Sequence, residues 1–395
     1  MRFERKGESP FHPGQPVPVD LFVGRRNEID RINRAAKQVA YGKPQAVYIM
    51  GEYGIGKTSL ARLIRVMAEA DTGLCGFHVM LGEKNSLDGL AMTTVEAILQ
   101  SDAVRQSTSS KIRDFVSMYI GERTLFGMTL RLDKLKKDAP SIQQGFLPFL
   151  RSIYQTLSPR SKGLILILDE INGIAGQPEF ALFLKRLVDE NAVSGAPVPL
   201  LLIVCGTQEK YGEIVKHHRP VERIFEIALI EAMTQEERST FFDKAFQKVN
   251  MQVDQEAMNI LCDFSGGLPR LMHLLGDAAF WIAEQSVIDK ETAISAVAAS
   301  AEEVGRKFVD QQVYKALRSK DYKNILKKLG RFDFDLEFKK SAIEKQLNEE
   351  EKKKFNTFLQ RMKKLNVLVP GEERGEYKFR NRLTRWYFYL NSVDD

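Results

Sequence analysis

The chain has 395 residues, of which 44% are hydrophobic and 28% are charged, and this length predicts two or three domains that each bury a core. The composition is that of a folded globular protein and excludes a wholly disordered, collagen-like or disulfide-scaffold chain. No apolar run reaches the roughly 18 to 20 residues that span a bilayer, and the N-terminal charges are not followed by the apolar core of a signal peptide. Cys75, Cys205 and Cys262 have no metal-binding or redox spacing. We therefore expect reduced thiols in a cytoplasmic protein.

Short apolar segments alternate with helical patterns over about the first 230 residues. Residues 1–20 are predicted to form an extended arm, because three prolines fall within residues 11–18. The predicted strands lie at residues 46–50, 76–81, 164–168, 200–204 and 224–227. A first helix is predicted to run to about residue 40, and further helices are predicted at residues 59–70, 87–100, 110–119, 141–157 and 180–191. Residues 124–132 are predicted as a strand or hairpin. This alternation predicts a parallel sheet covered by helices on both faces.

The rest of the chain is predicted to be mostly helical. From Thr234 to about residue 300 the pattern is helical throughout, and Thr234 and Glu237 form a capping-box sequence at its start. Further helices follow from residue 302, including one at residues 356–365 that is apolar on one side and basic on the other. A hairpin is predicted from residues 367–370 and 377–379, joined by a glycine-flanked turn.

A glycine-rich turn follows the first predicted strand. Its sequence from Gly51 to Thr58 fits the pattern G-x-x-x-x-G-K-[ST], and it lies between a strand and a helix as that pattern requires. The glycines let backbone N–H groups surround phosphate oxygens at a helix N-terminus, while Lys57 is placed for the β- and γ-phosphates and Thr58 for Mg²⁺. A chance glycine-rich turn is the alternative. The predicted nucleotide-binding residues are Gly51, Gly54, Ile55, Gly56, Lys57, Thr58 and Ser59.

An acidic pair ends the most apolar predicted strand. Asp169 and Glu170 would lie at the carboxyl edge of the parallel sheet, beside the phosphate loop. Asp169 is predicted to hold the shell of a Mg²⁺ ion, often through water. Glu170 is predicted to be the general base that polarises the attacking water. Many strands end in an acidic residue, so the pair is informative only because the loop precedes it by about 110 residues.

The loop and the acidic pair together resemble those of the AAA+ ATPases. Within that group the chain is similar to archaeal-type ATPases related to the origin-recognition and cell-division-control initiator proteins, near the signal-transducing NTPases with many domains. The resemblance spans roughly residues 20–390 and implies an α/β P-loop NTPase core with a parallel sheet, a helical lid and a C-terminal winged helix. It divides the chain into an extended arm (1–20), a nucleotide-binding core (21–231), a lid (232–300) and a winged-helix domain (301–395). The implied reaction is slow, Mg²⁺-dependent hydrolysis of ATP to ADP and phosphate.

Two matches to the family concern the nucleotide base and the attacking water. Val23 and Arg25, within a Phe-Val-Gly-Arg sequence, resemble the box that contacts adenine. Thr207, directly after the fourth predicted strand and its glycine, matches the sensor-1 position that orients the lytic water. Gln208 is the alternative at that position.

Two further matches concern arginines. Arg223 resembles the arginine finger, which acts in trans on the γ-phosphate bound by a neighbouring subunit, and Arg219 is the second candidate. This implies self-association, whereas a surface arginine in a salt bridge is the alternative for either residue. Arg270, in a Gly-Gly-Leu-Pro-Arg sequence, resembles the sensor-2 arginine that couples nucleotide state to the angle of the lid.

The positive charge of the chain is concentrated near its C-terminus. Residues 1–300 hold 35 basic and 36 acidic residues, whereas residues 301–395 hold 23 basic and 16 acidic residues. A one-sided basic domain predicts a nucleic-acid surface, although a lysine-rich solvated helix gives the same count. In the implied winged helix, a basic helix would enter a major groove and wing residues would contact phosphates. The predicted DNA-contacting residues are Lys353, Lys354, Arg361, Lys363, Lys364, Arg374 and Lys378.

Two functions of the whole chain follow from these motifs. The first is an ATPase that acts as a nucleotide-controlled switch on double-stranded DNA. The second is a signalling or scaffold ATPase whose winged helix docks a protein, since winged helices serve both uses and acidic residues 349–351 lie beside the basic run. A protein that binds ATP without hydrolysing it is disfavoured by the intact Lys57, Asp169 and Glu170.

Overall fold

The computed structural model describes residues 7–15, 21–101, 142–158, 160–317, 319–332 and 336–393. The chain divides into two compact units, one formed by Arg25–Glu231 and the other by Met1–Gly24 together with Ala232–Asp395. The predicted helix at residues 110–119 and the predicted strand or hairpin at residues 124–132 lie outside the described residues. Among the residues that are described, no helix is long and apolar enough to cross a membrane.

The first unit is a five-stranded parallel sheet covered by helices, as the sequence predicts. The strands are β1 Gln45–Gly51, β2 Cys75–Met80, β3 Leu164–Asp169, β4 Leu200–Gly206 and β5 Glu226–Ile230, in the order β2-β3-β4-β1-β5 across the sheet. The helices are α1 Arg26–Ala40, α2 Lys57–Thr72, α3 Leu87–Gln100, α4 Ile142–Leu157, α5 Pro178–Ala192 and α6 Gln208–His217. The predicted position of the fifth strand, residues 224–227, is wrong by two residues at its start. Ile224 still caps a 3-10 turn, and pairing with β1 begins only at Glu226.

The two central strands determine where the site lies. Every residue of β3 and β4 is buried, as expected for strands covered on both faces. The parallel registers pair Leu168 with Val204 and Cys205 with Ile49, so β3, β4 and β1 end at the same edge of the sheet. The phosphate loop, the acidic pair and Thr207 therefore leave the sheet side by side.

The second unit contains a cluster of four helices, α7 Gln235–Gln247, α8 Gln255–Ser265, α9 Pro269–Ile282 and α10 Lys290–Val304. The predicted capping box opens α7, because the Thr234 hydroxyl accepts from the Glu237 N–H and the Glu237 carboxylate accepts from the Thr234 N–H. The prediction of helix throughout this region is wrong at two short parallel strands, β6 Gln252–Val253 and β7 Val287–Ile288. Two-residue strands are too short to show a periodic pattern in the sequence.

The described part of the predicted arm packs on this helical cluster. Phe11 is only 3% exposed, and its ring centroid lies 4.9 Å from that of Phe246 on α7. The backbone N–H of His12 donates to Nδ1 of His273 on α9 at 3.1 Å. Residues 7–15 therefore complete the core of the second unit.

The C-terminal part of the second unit contains helices and a three-stranded antiparallel sheet. Its elements are a π-helical segment Gly305–Tyr314, α11 Lys320–Arg331, β8 Glu337–Lys339, α12 Lys340–Glu344, α13 Glu349–Lys364, β9 Leu368–Pro370, β10 Glu376–Phe379 and α14 Arg382–Val393, with the sheet order β8-β10-β9. The predicted hairpin corresponds to β9 and β10. Helix α13 begins at Glu349 rather than at residue 356, because Asn348 and Glu351 form a capping box that starts it earlier.

Candidate nucleotide-binding site

The loop between β1 and α2 is built around two left-handed glycines. Gly54 has φ 78° and Gly56 has φ 101°, conformations that residues with a side chain adopt only with strain. Gly56 is also the N-cap of α2 and has no side chain with which to cap it, and the first turn of α2 contains no acidic residue. The start of α2 thus has no side-chain cap, and its N–H groups and the positive end of the helix dipole suit an anionic ligand.

The Lys57 ammonium is held by carbonyl groups of this loop. Its Nζ donates to the carbonyl oxygens of Gly51 and Glu52, both at 2.9 Å. Burial lowers the pKa of Lys57, against the opposing influence of Cys205, Asp169 and Glu52. A partly desolvated ammonium that is held by neutral carbonyls gains from an anionic partner. A phosphate group fits this position.

Asp169 and Glu170 follow β3 at the same edge of the sheet. Asp169 is 1% exposed; its Oδ1 accepts from the Glu170 N–H at 2.8 Å, and its Oδ2 lies 3.0 Å from Nε2 of His78. Glu170 adopts a left-handed conformation with φ 56°, a strain of about 1–3 kcal/mol of the kind that clusters at functional sites. The Glu170 side chain is exposed, so its carboxylate is open to water.

The donor set fits a Mg²⁺ ion that is completed by a nucleotide. Among the described residues, no group of three or more His, Cys, Asp or Glu side chains could hold a metal. Proteins usually bind Mg²⁺ through one or two carboxylates together with substrate phosphates and water. A hydroxyl at Thr58 and a buried carboxylate at Asp169 match that pattern.

Two residues at this edge are not signalled by any sequence motif. His78 lies on β2 and contacts Asp169 only because β2 pairs with β3. The Tyr48 hydroxyl on β1 donates to the Thr207 carbonyl at 3.4 Å, and a Cβ on Gly206 would collide with that hydroxyl. Burial raises the pKa of Tyr48 far above its ordinary value, so the hydroxyl stays protonated. Tyr48 therefore supports the turn that carries Thr207.

Thr207 is the N-cap of α6. Its Oγ1 accepts from the Lys210 N–H at 3.2 Å, which leaves the hydroxyl proton of Thr207 free to donate. Gln208, the alternative residue, is exposed in the first turn of α6. The position of Thr207 at the end of β4, between β3 and β1, is compatible with orienting a water molecule, and this role stays a prediction.

Arg219 and Arg223 begin and end the 3-10 turn before β5. Both side chains are exposed, and within the described part of the chain neither is held in an ion pair. This observation disfavours the alternative of a salt-bridged surface arginine. The role of either residue as an arginine finger stays a prediction.

The other predicted nucleotide residues are divided between the two units. Arg25 is 7% exposed, and its Nη2 donates to the Ile55 carbonyl at 2.8 Å, so its side chain stabilises the phosphate loop. Val23 is buried in the core of the second unit. Arg270 is exposed near the start of α9, and Gly267, with φ 72°, packs too closely on backbone to carry a Cβ. The roles of Val23 and Arg270 at the nucleotide stay predictions.

The predicted DNA-contacting residues lie on α13 and the following hairpin. Three of them are held in ion pairs: Lys353 with Glu350, Lys354 with Asp321 and Lys378 with Glu337. The Lys363 Nζ lies 5.4 Å from the ring centroid of Tyr377, which is a cation–π distance. Arg361, Lys364 and Arg374 make no ion pair with any residue that the structure describes.

Comparisons with known proteins concern the domain type and the fold of this chain. Residues 21–203 match the family model described as AAA ATPase domain. A Walker-type ATPase of Pyrococcus abyssi superposes with a TM-score of 0.57 and 17% identity, covering 93% of this chain and 96% of that chain. The ORC2 protein of Aeropyrum pernix, in its ADPNP and ADP complexes, superposes with a TM-score of 0.59 and 13% identity, covering 99% of this chain and 97% of that chain. At these identities the two structures show a shared fold. No curated protein sequence matches the chain significantly.

Proposed function

Residues 21–203 match an AAA ATPase domain, and we propose that the chain hydrolyses ATP with Mg²⁺ and that its nucleotide state controls its attachment to double-stranded DNA. The observation that carries this proposal is the exposed face of α13. That face combines cations that have no acidic partner among the described residues with neutral side chains that can form hydrogen bonds to bases.

In the proposed hydrolysis site, this chain supplies the phosphate ligands and the general base. Lys57 and the loop N–H groups bind phosphate oxygens, while Thr58 and Asp169 would hold Mg²⁺, which neutralises charge on the phosphates when bound. The exposed Glu170 carboxylate takes a proton from the water that attacks the γ-phosphate. Thr207 orients that water.

The proposed site is completed by a second copy of the chain. The guanidinium of Arg223, or that of Arg219, has no ion-pair partner among the described residues, and it stabilises charge on the γ-phosphate of a neighbouring subunit. In this proposal Arg270 keeps the sensor-2 role that the family resemblance implies. Full activity therefore requires self-association, and we expect ATP turnover per chain to rise with protein concentration.

The order of elements supports a winged helix in the C-terminal part. Helix α11, strand β8, helices α12 and α13, and the hairpin β9–β10 follow one another, and β10 lies between β8 and β9 in the sheet. In this arrangement α13 precedes the hairpin, as a recognition helix precedes its wing. The buried side of α13 carries Phe355, Phe358, Leu359 and Met362, which leaves its other side for a ligand.

The exposed stripe of α13 suits a DNA groove. We define it as the residues Lys353, Asn356, Thr357, Gln360, Arg361 and Lys364, all of which are exposed. Asn and Gln can pair with adenine in the major groove, and Arg and Lys can bind guanine or phosphate. Arg361 and Lys364, at the C-terminal end of the stripe, are the residues that we expect to matter most, because no acidic partner neutralises them among the described residues.

The helical lid and the C-terminal part belong to one compact unit. The Trp386 ring on α14 lies 5.8 Å from the Phe264 ring on α8, edge to face, and Leu383 of α14 is buried in the same core as the lid helices. A lid that responds to nucleotide would therefore carry the α13 stripe with it. This connection supports a DNA affinity that differs between ATP and ADP.

Reduced thiols in a cytoplasmic protein are part of this proposal. Cys75, Cys205 and Cys262 are free. Burial raises the pKa of Cys75 to about 11 and that of Cys205 well above its ordinary value. Since the thiolate is the reactive form, these cysteines are structural residues.

The proposed function is tested by fluorescence anisotropy of a labelled random duplex with ATP, with ADP and across a salt series. We expect affinity that differs between the two nucleotides and falls steeply with salt, because phosphate neutralisation releases counterions. Changing Arg361→Gln together with Lys364→Gln should weaken binding and lower the slope of log affinity against log salt by about 2.

The matched control changes Lys320→Gln together with Lys323→Gln on α11. These lysines are also exposed, so the net charge of the domain falls by the same amount. If both pairs weaken binding equally, the stripe is not the contact surface. If the unchanged protein does not bind duplex at low salt while it hydrolyses ATP, the DNA proposal is wrong.

A protein-docking function is the second candidate, and it is favoured by acidic groups at both ends of the same surface. Glu349 and Glu350 are exposed at the start of α13, and Glu372 and Glu373 are exposed at the hairpin turn. Like charges would repel DNA phosphates there, whereas a protein surface of mixed charge would be accommodated. Recovery of one stoichiometric partner from nuclease-treated lysate, lost in the Arg361→Gln, Lys364→Gln variant, would support this function.

A further inference from the structure

His78 is in contact with the carboxylate on which the proposed Mg²⁺ site depends. Its Nε2 lies 3.0 Å from Oδ2 of Asp169, although the two residues are separated by 91 positions in the chain. The other carboxylate oxygen, Oδ1, accepts from the Glu170 N–H at 2.8 Å. Each carboxylate oxygen of Asp169 thus has one donor. No other side chain among the described residues donates to this carboxylate.

Sheet pairing places His78 at this carboxylate. Asp169 pairs with Met80 across β2 and β3, and His78 pairs with Ile167. Residues two apart on a strand share a face, so His78 and Asp169 lie diagonally on the same face of the sheet. Because β2 and β3 are held by a continuous parallel ladder, this diagonal contact has little freedom to change.

The contact has an energetic reason. Asp169 is almost fully buried, and a buried carboxylate is costly unless hydrogen-bond donors compensate it. The nearby Lys57 ammonium donates to loop carbonyls at 2.9 Å. Among the described residues, the imidazole N–H of His78 and the backbone N–H of Glu170 are therefore the donors that stabilise and orient the Asp169 carboxylate.

We propose that His78 is a positioning residue for the Mg²⁺–nucleotide complex, which it serves by fixing the orientation of the Asp169 carboxylate. The inference rests on the proposed role of Asp169 at Mg²⁺. His78 does not touch the reacting atoms. Residues that orient metal-binding side chains in this way typically contribute about 10- to 100-fold to metal affinity.

The test measures nucleotide binding and needs no turnover. A non-hydrolysable ATP analogue is titrated into the protein by calorimetry, first in EDTA and then across a Mg²⁺ series, for the unchanged protein, His78→Leu and His78→Gln. We expect His78→Leu to weaken the apparent Mg²⁺ affinity about 10- to 100-fold. The affinity for the ATP analogue in EDTA should change less than about 2-fold. His78→Gln carries an amide donor and should recover most of the Mg²⁺ affinity.

Two further variants separate the possible failures. His217→Gln removes an exposed imidazole on α6 and should leave the Mg²⁺ dependence unchanged. Asp169→Asn should abolish the gain in affinity that Mg²⁺ brings. If Asp169→Asn does so but His78→Leu does not, the role of His78 is wrong and the site assignment stands.

The remaining outcomes overturn more of the proposal. If Asp169→Asn retains the full Mg²⁺ dependence, both the site assignment and the role of His78 are wrong. If His78→Leu and His78→Gln lower EDTA affinity and thermal stability alike, with no selective loss of Mg²⁺ affinity, His78 has only a structural role.

Discussion

The phosphate-loop edge of the first unit and the exposed stripe of α13 are both rich in charged groups, but they hold those charges in opposite ways. At the loop edge, Asp169 is 1% exposed and its donors are a backbone N–H and a histidine 91 positions away. On α13, the Lys353 ammonium is exposed and its carboxylate partner, Glu350, lies three residues earlier on the same helix. The first arrangement depends on the tertiary fold, whereas the second depends only on a helical turn.

This difference determines what each region can do. A buried charge with fixed partners keeps one geometry, and removal of a partner is costly. An exposed pair is screened by salt and contributes little to stability, so its members can exchange partners when a polyanion approaches. The loop edge is therefore suited to positioning a reaction, and the α13 stripe is suited to adjustable electrostatic attachment.

The largest expected effect is at the loop edge, in the variant Glu170→Gln. Loss of the general base should lower ATP turnover by about 10²- to 10⁴-fold, while the nucleotide remains bound. Phosphate release and the nucleotide content after gel filtration measure the two quantities. Glu83→Gln, which changes another exposed carboxylate after β2, is the control. Equal turnover in Glu170→Gln and the unchanged protein would remove Glu170 from the role of base.

Phe11→Ala tests whether residues 7–15 are part of the buried core of the second unit, as Asp169 is buried in the first unit. Phe11 is 3% exposed among the rings of the helical lid, and deleting a buried phenyl ring typically costs about 3–5 kcal/mol. Urea unfolding followed by Trp fluorescence measures the loss. Trp281→Ala removes a lid aromatic that is 53% exposed and should cost far less. A similar loss in both variants would show that residues 7–15 are not part of the core.

His273 makes the second unit sensitive to acid. Burial lowers the pKa of His273 from 6.5 to about 4, with a smaller contribution from His12. Below pH 6.5 the unfolded chain binds a proton that the folded chain excludes, so the free energy of unfolding falls by about 3 kcal/mol as the pH decreases to 4. Above pH 6.5 this site has no effect.

Urea unfolding of the unchanged protein and of His273→Asn between pH 7 and 4 measures this contribution. Asn keeps a hydrogen-bond acceptor for the His12 N–H but does not titrate. The variant should therefore lose less stability on acidification than the unchanged protein. Parallel losses in the two proteins would contradict the assignment to His273.

The smallest expected effect is at the surface of α13. Changing Lys353→Gln together with Glu350→Gln removes an exposed ion pair without a change in net charge, and the urea midpoint of unfolding should stay close to that of the unchanged protein, because solvent screens an exposed pair. DNA affinity should also change less than in the Arg361→Gln, Lys364→Gln variant. A loss of stability as large as that expected for Phe11→Ala would mean that this pair is structural and that the two regions hold their charges in similar ways.

The chemistry of the loop edge could be predicted because each of its signals is contiguous in the sequence. The left-handed conformations of Gly54 and Gly56 are demanded by a local turn, and the run of buried residues that ends at Asp169 is typical of a central strand. Helix boundaries were predicted less well where the first turn of the helix lacks the periodic apolar residues that indicate a helix. Helix α13 starts with three glutamates, and only its capping box shows where it begins.

The amino-acid sequence alone was sufficient for the parallel-sheet fold, the phosphate loop and the acidic pair, because these depend on local backbone geometry and on hydrophobic periodicity. Only the tertiary structure placed His78 on Asp169, Tyr48 beneath Thr207 and Phe11 in the core of the lid. It also paired Lys354 with Asp321 and Lys378 with Glu337. Contacts between distant positions leave no periodic pattern in the sequence, since strand pairing and helix packing decide which side chains meet.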